Sequence, residues 1–176
     1  MILANGHPDD LIESINNILR YKEPLLLFLN NGNGFDSVSA AGDPAFKELY
    51  AARGLAVGDL DNDSHVDVVA GISGEAPRIL HNIVRNGNHW IGLNLVGRAV
   101  GAKITWSANG IEYGIFKRGG GSYLSSCDPC DVLGLWSAEY ADWIQVQWPT
   151  AIRRTDRFEH VRAGKYYSLT PGGKLL

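Results

Sequence analysis

The spacing of apolar residues changes near residue 24. Apolar residues recur at helical spacing at Leu11, Ile12, Ile15, Ile18 and Leu19. Asp10 followed by Glu13 resembles a capping box, so we expect one helix over residues 10–20. Pro24 cannot continue a helix. Beyond it, short apolar runs alternate with turn-forming Asn, Gly and Asp residues, a pattern typical of strands and turns.

The first half of the chain contains five candidate strands, spaced like those of one small antiparallel sheet. These candidates cover residues 25–30, 35–39, 54–58, 66–71 and 77–82. A polar stretch between Val84 and His89 then marks a boundary. We therefore predict two domains, over residues 1–85 and 86–176.

The second half contains seven candidate strands, at residues 90–96, 102–106, 111–117, 132–135, 143–148, 154–158 and 166–169. Several alternate with period two, as where Ile144, Val146 and Trp148 alternate with Gln145 and Gln147. Seven short strands in about ninety residues suggest a β-sandwich or barrel. We expect a mainly β protein, with most of the tryptophans filling this core.

Composition excludes two classes of partner. The net charge is −3 and the 16 Lys and Arg residues are scattered, which gives no electrostatic footprint for nucleic acid or an anionic membrane. The longest apolar run, Leu25 to Leu29, is far too short to cross a bilayer. We therefore expect no nucleic-acid partner and no membrane span.

A carboxylate-rich segment carries the clearest chemistry. Asp59, Asp61, Asp63 and Asp67 stand at loop positions 1, 3, 5 and 9 between two apolar runs. Calcium takes six to eight oxygen ligands, and alternate residues of a tight loop can point several carboxylates at one centre. The predicted site is Ca²⁺ held by these four side chains and the backbone carbonyl of His65. The alternative is a solvated Asp/Asn turn.

This segment differs from an EF-hand. No Glu stands at position 12 of the loop, and strands rather than helices flank it. Ser64 occupies the position of the usual glycine, so it must adopt the sharp bend at some steric cost. Asn62-Asp63-Ser64 is also a glycosylation sequon, and its use remains open because it overlaps the ligands.

Other motifs offer little catalytic chemistry. Cys127 and Cys130 form a C-x-x-C pair, but a redox pair of that kind opens a helix, whereas the residues that follow are strand-like. A tight-turn disulfide and free thiols both remain open. His81, His89 and His160 follow no zinc-finger spacing. We expect no enzyme activity and predict no catalytic residue.

Several motifs occur in the order found in a known group of proteins. In the first half these are Ala4-Asn-Gly-His, Phe28-Leu-Asn-Asn-Gly-Asn-Gly-Phe and Arg53-Gly-Leu-Ala-Val-Gly-Asp-Leu-Asp-Asn-Asp. In the second half they are Asn88-His-Trp-Ile-Gly-Leu-Asn-Leu-Val-Gly, Val100-Gly-Ala-Lys-Ile, Gly120-Gly-Ser-Tyr-Leu-Ser and Val146-Gln-Trp-Pro. The chain resembles the C-terminal part of cartilage acidic protein-like proteins, which join FG-GAP/VCBS propeller repeats to an ASPIC/UnbV domain.

The resemblance implies one propeller-type FG-GAP/VCBS blade, with a short N-terminal helix, followed by a β-sandwich or barrel-like ASPIC/UnbV domain. It also implies an extracellular, calcium-bound protein, with Asp59, Asp61, Asp63, His65 and Asp67 as ligands. We expect a non-catalytic adhesion or structural module whose partner is a protein or glycan. A lone blade has open edges, which favours a homo-oligomer or filament. The alternative is a catalytic or accessory part in enediyne-type secondary-metabolite biosynthesis.

Overall fold

The computed structural model describes residues 1–39, 43–150 and 154–176. The protein is mainly β, with 48% strand and 5% helix. It divides into two compact units. The first comprises Met1–Val57, Asp67–His81 and Gly121–Ser126, and the second comprises Gly58–Val66, Asn82–Gly120 and Cys127–Leu176. The two units interleave along the sequence, and the domain ranges 1–85 and 86–176 stay a prediction.

The first unit contains one short helix and eight strands among its described residues. They are β1 Ile2–Leu3, α1 Ile12–Ile15, β2 Glu23–Pro24, β3 Leu26–Asn30, β4 Phe35–Ser37, β5 Leu49–Tyr50, β6 Ala52–Gly58 (whose last residue falls in the second unit), β7 Asp67–Ile72 and β8 Arg78–Leu80. A 3₁₀ turn spans Pro44–Phe46. The strands form three sheets, with orders β1-β3-β4, β2-β5 and β6-β7-β8.

The five strands predicted in the first half are confirmed, but the single sheet is wrong. They divide between the β1-β3-β4 and β6-β7-β8 sheets. Local turns explain the division, because β4 folds straight back onto β3 and the amide of Asn31 donates to the carbonyl of Gly34 at 3.1 Å. Each hairpin pairs strands that are adjacent in the sequence, and the ladders of these two sheets do not join in the described chain.

The predicted helix over residues 10–20 is confirmed only at α1. Glu13 forms no capping box, since its side chain accepts from the amide of Tyr21 at 3.2 Å. Asn16 is extended and its side chain accepts from the amide of Ile18, the local bonding by which Asn competes with a helix. No residue of α1 is buried, and Ile18 is 83% exposed. The apolar stripe packs on no core, so helical spacing alone does not sustain the helix.

The second unit contains seven strands among its described residues, and all seven predicted strands are confirmed. They are β9 His89–Leu95, β10 Lys103–Ala108, β11 Ile111–Phe116, β12 Cys130–Trp136, β13 Tyr140–Gln147, β14 Thr155–Arg162 and β15 Lys165–Leu169. One sheet has the order β11-β10-β13-β14 and the other β12-β9-β15. Within the second sheet β15 runs parallel to β9.

One hydrophobic core lies between these two sheets. One sheet contributes Ile91 and Leu93 of β9 and Leu133 of β12. The other sheet contributes Ile104 of β10 and Ile144 of β13. The inward residues alternate with outward polar ones, as the period-two pattern predicted. The arrangement is a two-layer sandwich without barrel closure.

The tryptophans are less uniformly buried than expected. Trp106 and Trp148 are buried in the core, whereas Trp90 and Trp143 are half-buried and Trp136 is 50% exposed. Nowhere in the described ranges does a helix have the length and apolar character needed to cross a membrane.

Candidate functional site

The predicted calcium loop lies between the end of β6 and the start of β7. Two of its residues adopt left-handed backbone angles, Asn62 with φ 61° and Ser64 with φ 76°. Asn tolerates this region, while Ser does so at a cost of roughly 1–2 kcal/mol. The steric cost predicted at Ser64 is therefore confirmed. Residues 59–66 belong to the second unit, although they follow a strand of the first.

Three of the predicted ligands come together in this loop. One carboxylate oxygen from each of Asp59, Asp61 and Asp63 lies within 4.8 Å of the other two. The loop amides turn toward the same carboxylates. The amide of Asp63 donates to Asp59 Oδ1 at 3.0 Å and to Asp61 Oδ1 at 3.2 Å, and the amide of Ser64 donates to Asp59 Oδ2 at 2.7 Å.

His65 contributes to this cluster through its side chain and its backbone. Its Nδ1 lies 3.0 Å from Asp63 Oδ2, and its amide donates to Asp63 Oδ1 at 2.8 Å. The side chain of His65, followed by its backbone amide, lowers the pKa of Asp63. The backbone carbonyl of His65 as a ligand stays a prediction.

The fifth predicted ligand, Asp67, lies in the first unit and is fully buried at the start of β7. Its Oδ1 lies 3.1 Å from Nδ1 of His81. The hairpin register accounts for this pair, because Val68 of β7 stands opposite Leu80 of β8. The residues one step further out are Asp67 and His81. No spacing motif includes His81, and only the β7-β8 register could have indicated its contact with Asp67.

Tyr166 is a second residue that sequence patterns missed. Its hydroxyl donates to Asp59 Oδ2, across 107 positions of the sequence. Burial, followed by the hydrogen bond to Asp59, raises the pKa of Tyr166. Both residues belong to the second unit. No pattern within the loop could have indicated this contact, because it depends on where β15 lies in its sheet.

The loop fits a hard cation in the type of its donors. All three clustered side chains are carboxylates, and calcium prefers oxygen ligands of this kind. Each carboxylate can accept about four contacts, so the hydrogen bonds already present leave capacity for an ion. Asp59, Asp61 and Asp63 would hold it, and its charge would offset the repulsion among them.

Comparison with known families identifies the C-terminal part of the chain. Residues 94–175 match the family described as ASPIC and UnbV. The match begins within β9 and covers most of the sandwich and slightly less than half of the chain. It includes Tyr166 and excludes the aspartate loop. No curated protein matched the sequence. The FG-GAP/VCBS resemblance of the first half stays a prediction.

The two cysteines lie within the ASPIC/UnbV match. Both are free thiols and half-buried, which selects one of the two alternatives left open by the sequence. Burial, followed by the charges of Asp128 and Asp131, raises the pKa of Cys130 to about 11. Strand β12 begins at Cys130, so the expected strand is present where a redox motif would open a helix. Neither feature favours a reactive thiolate.

An open groove of about 440 Å³ lies within the first unit. It is lined by Arg53, Gly54, Ala56, Val69, Gly71, Ile72, Ser73, Leu124 and Ser125. Arg53 is the ionisable residue in this lining, and its guanidinium already donates to the carbonyls of Ala52 and His7. The lining presents a mostly apolar surface with hydroxyl groups at Ser73 and Ser125.

Proposed function

We propose that this chain is a calcium-binding extracellular module that serves adhesion or structural assembly without catalysis. The observation that carries the proposal is the convergence of Asp59, Asp61 and Asp63, whose carboxylate oxygens lie within 4.8 Å of one another. Three like charges at this separation repel, and a divalent cation that binds only the folded loop would stabilise the fold by mass action.

The surface of the first unit supports an assembly role. Its core cluster has five buried residues in the described chain, Leu25, Tyr50, Ala52, Ala70 and Ile72. Several larger apolar side chains remain exposed, including Leu29, Phe35, Leu49 and Ile79. An FG-GAP/VCBS blade would cover such a surface with neighbouring blades, and a homo-oligomer or filament would cover it with further copies.

The sandwich offers one candidate contact for a protein or glycan partner. The rings of Trp106, Tyr113 and Trp136 form a stack, with centroid distances of 5.5 and 4.6 Å. Trp136 is its exposed end and has a left-handed φ of 52°. Exposed aromatic rings held in unfavourable backbone conformations often serve binding. Nothing in the lining of the groove in the first unit specifically favours the alternative biosynthetic function.

Calorimetric titration of Ca²⁺ into the chelator-treated chain tests the proposal. Asp61→Asn keeps an oxygen that can accept from the amide of Asp63 but removes one charge, so we expect Ca²⁺ affinity to fall about tenfold. Asp10→Ala, at an exposed carboxylate outside the loop, serves as the control and should bind as the wild type does. A wild-type chain that releases no heat with Ca²⁺ and melts at the same temperature in chelator would refute the calcium function.

A further inference from the structure

Tyr166 is held in place by close packing beneath its ring. It stands opposite Gly92 in the parallel pairing of β15 with β9. A Cβ atom at position 92 would lie 2.0 Å from the ring of Tyr166, so no side chain fits there. The ring of Trp90 packs against Tyr166 at a centroid distance of 4.8 Å and an interplanar angle of 57°. Gly92 and Trp90 thus fix where the hydroxyl of Tyr166 points.

That hydroxyl points at the first carboxylate of the loop. Asp59 Oδ2 accepts from Tyr166 and from the amide of Ser64, and Asp59 Oδ1 accepts from the amide of Asp63. Of these three donors, two are amides of the loop and one is a side chain of the sandwich. The orientation of Asp59 therefore depends on β15 as well as on the loop.

A second contact joins the loop to the same unit. A Cβ atom at Gly58 would lie 3.0 Å from Cβ of Asp128, so the residue before Asp59 is packed against the segment that leads into β12. The loop is thus anchored beside its first ligand by packing at Gly58 and by the hydrogen bond at Asp59. Both contacts lie within the second unit.

We propose that Tyr166 is a positioning residue that preorients Asp59 for the cation and couples occupancy of the loop to the ASPIC/UnbV sandwich. This inference rests on the proposed calcium function. Hydrogen bonds to a metal ligand fix its orientation, and their loss commonly lowers metal affinity by about tenfold or more. By linkage, a cation bound at the loop stabilises the β9-β15 pairing that carries Tyr166.

Removal of a single hydroxyl tests the first part. Tyr166→Phe keeps the ring on Gly92 and deletes the donor to Asp59. Tyr167→Phe is the matched control, because the neighbouring hydroxyl donates to the carbonyl of Arg162 at 3.0 Å and lies outside the loop contacts. Calorimetry with Ca²⁺ alone should show about a tenfold loss of affinity for Tyr166→Phe and less than a twofold loss for Tyr167→Phe. Equal affinity of Tyr166→Phe and wild type would overturn the inference.

Hydrogen exchange in chelator supplies a readout that needs no metal. Because Asp59 accepts from the amides of Asp63 and Ser64, loss of its third donor should speed exchange of those two amides in Tyr166→Phe. The Tyr167→Phe chain should exchange them at the wild-type rate. Unchanged exchange in Tyr166→Phe would overturn the positioning of Asp59, whatever the outcome with calcium.

The two readouts separate this inference from the function on which it rests. If the wild type binds Ca²⁺ but Tyr166→Phe binds equally, the calcium function stands and the role of Tyr166 is overturned. If the wild type does not bind, the calcium function and the coupling are both overturned. Faster exchange of Asp63 and Ser64 in Tyr166→Phe would in that case support only the positioning of Asp59.

Discussion

The two units bury apolar residues to very different extents. In the described chain the sandwich encloses seventeen buried residues in one cluster, drawn from both of its sheets, whereas the cluster of the first unit contains five. Both units have strands with apolar residues, so composition does not separate them. The difference lies in whether the sheets face each other. Two layered sheets can bury their inner faces mutually, while three small separate sheets leave much of their apolar surface outward.

This difference bears on where calcium would act. The loop follows a strand of the first unit but belongs to the second, where Tyr166 contacts it. A cation at the loop would therefore add stability to the unit that already has the larger core. The first unit is the part that would gain from covering its apolar surface by other protein.

The largest expected effect follows from truncating the core of the sandwich. Leu93 is fully buried in β9, and Leu93→Ala should lower the free energy of unfolding by about 3 kcal/mol. All five tryptophans, at residues 90, 106, 136, 143 and 148, lie in the second unit, so their fluorescence reports its unfolding in urea.

Leu25→Ala is the matched change in the first unit, where Leu25 is fully buried in the smaller cluster. Leu25→Ala should lower the urea midpoint of the unfolding transition followed by circular dichroism. It should lower the midpoint followed by tryptophan fluorescence less than Leu93→Ala does. If both variants shifted both transitions equally, the two units would unfold as one and the comparison would fail.

The sequence predicted the sandwich better than the first unit, for a physical reason. Strict alternation, as at Ile144 to Gln147, marks a strand with one buried and one exposed face. The buried face specifies the register in which such a strand pairs. In the first half, Ile15 and Ile18 had helical spacing but no surface to pack on, so the pattern lacked the tertiary contact that sustains a helix.

In the candidate site, too, sequence patterns predicted the local contacts but not the contacts that depend on tertiary structure. The spacing of Asp59, Asp61 and Asp63 predicted their convergence, since alternate residues of one tight loop are brought together by local geometry. The partners Tyr166 and His81 could not be predicted, because each depends on strand register. Tyr166 reaches Asp59 through the β15-β9 pairing, and His81 reaches Asp67 through the β7-β8 hairpin.

A smaller effect is expected at a carboxylate near the end of the sandwich. Burial alone would raise the pKa of Asp156. Hydrogen bonds from the amide of Gly172 and the indole of Trp148, both at 2.7 Å, together with the guanidinium of Arg154 at 2.9 Å, outweigh it, and the pKa is lowered. A lowered pKa in the folded state contributes stability above the unfolded pKa of about 4, and the contribution is lost as the pH falls toward the folded pKa.

Asp156→Asn should therefore cost about 1–2 kcal/mol at pH 7. The difference in the free energy of unfolding between this variant and the wild type should shrink as the pH is lowered below about 4. Asp36→Asn, at an exposed position of the first unit, should show no such dependence in the tryptophan signal. A difference at Asp156 that is constant between pH 7 and pH 3 would mean that its charge does not contribute to the stability of the sandwich.

The smallest expected effect tests the strain in the aspartate loop. Ser64→Gly removes a side chain from a residue with φ 76° while keeping the amide that donates to Asp59. Relief of the left-handed strain is partly offset by the greater freedom of glycine in the unfolded chain, so the net gain should be below about 1 kcal/mol. Because the loop belongs to the second unit, the gain should appear in the tryptophan transition. Asn62→Gly is the matched control with φ 61°, and its gain should be smaller because Asn tolerates this region better. A loss of stability in Ser64→Gly would show instead that the hydroxyl of Ser64, which donates to the carbonyl of Asp63, contributes more than the strain costs.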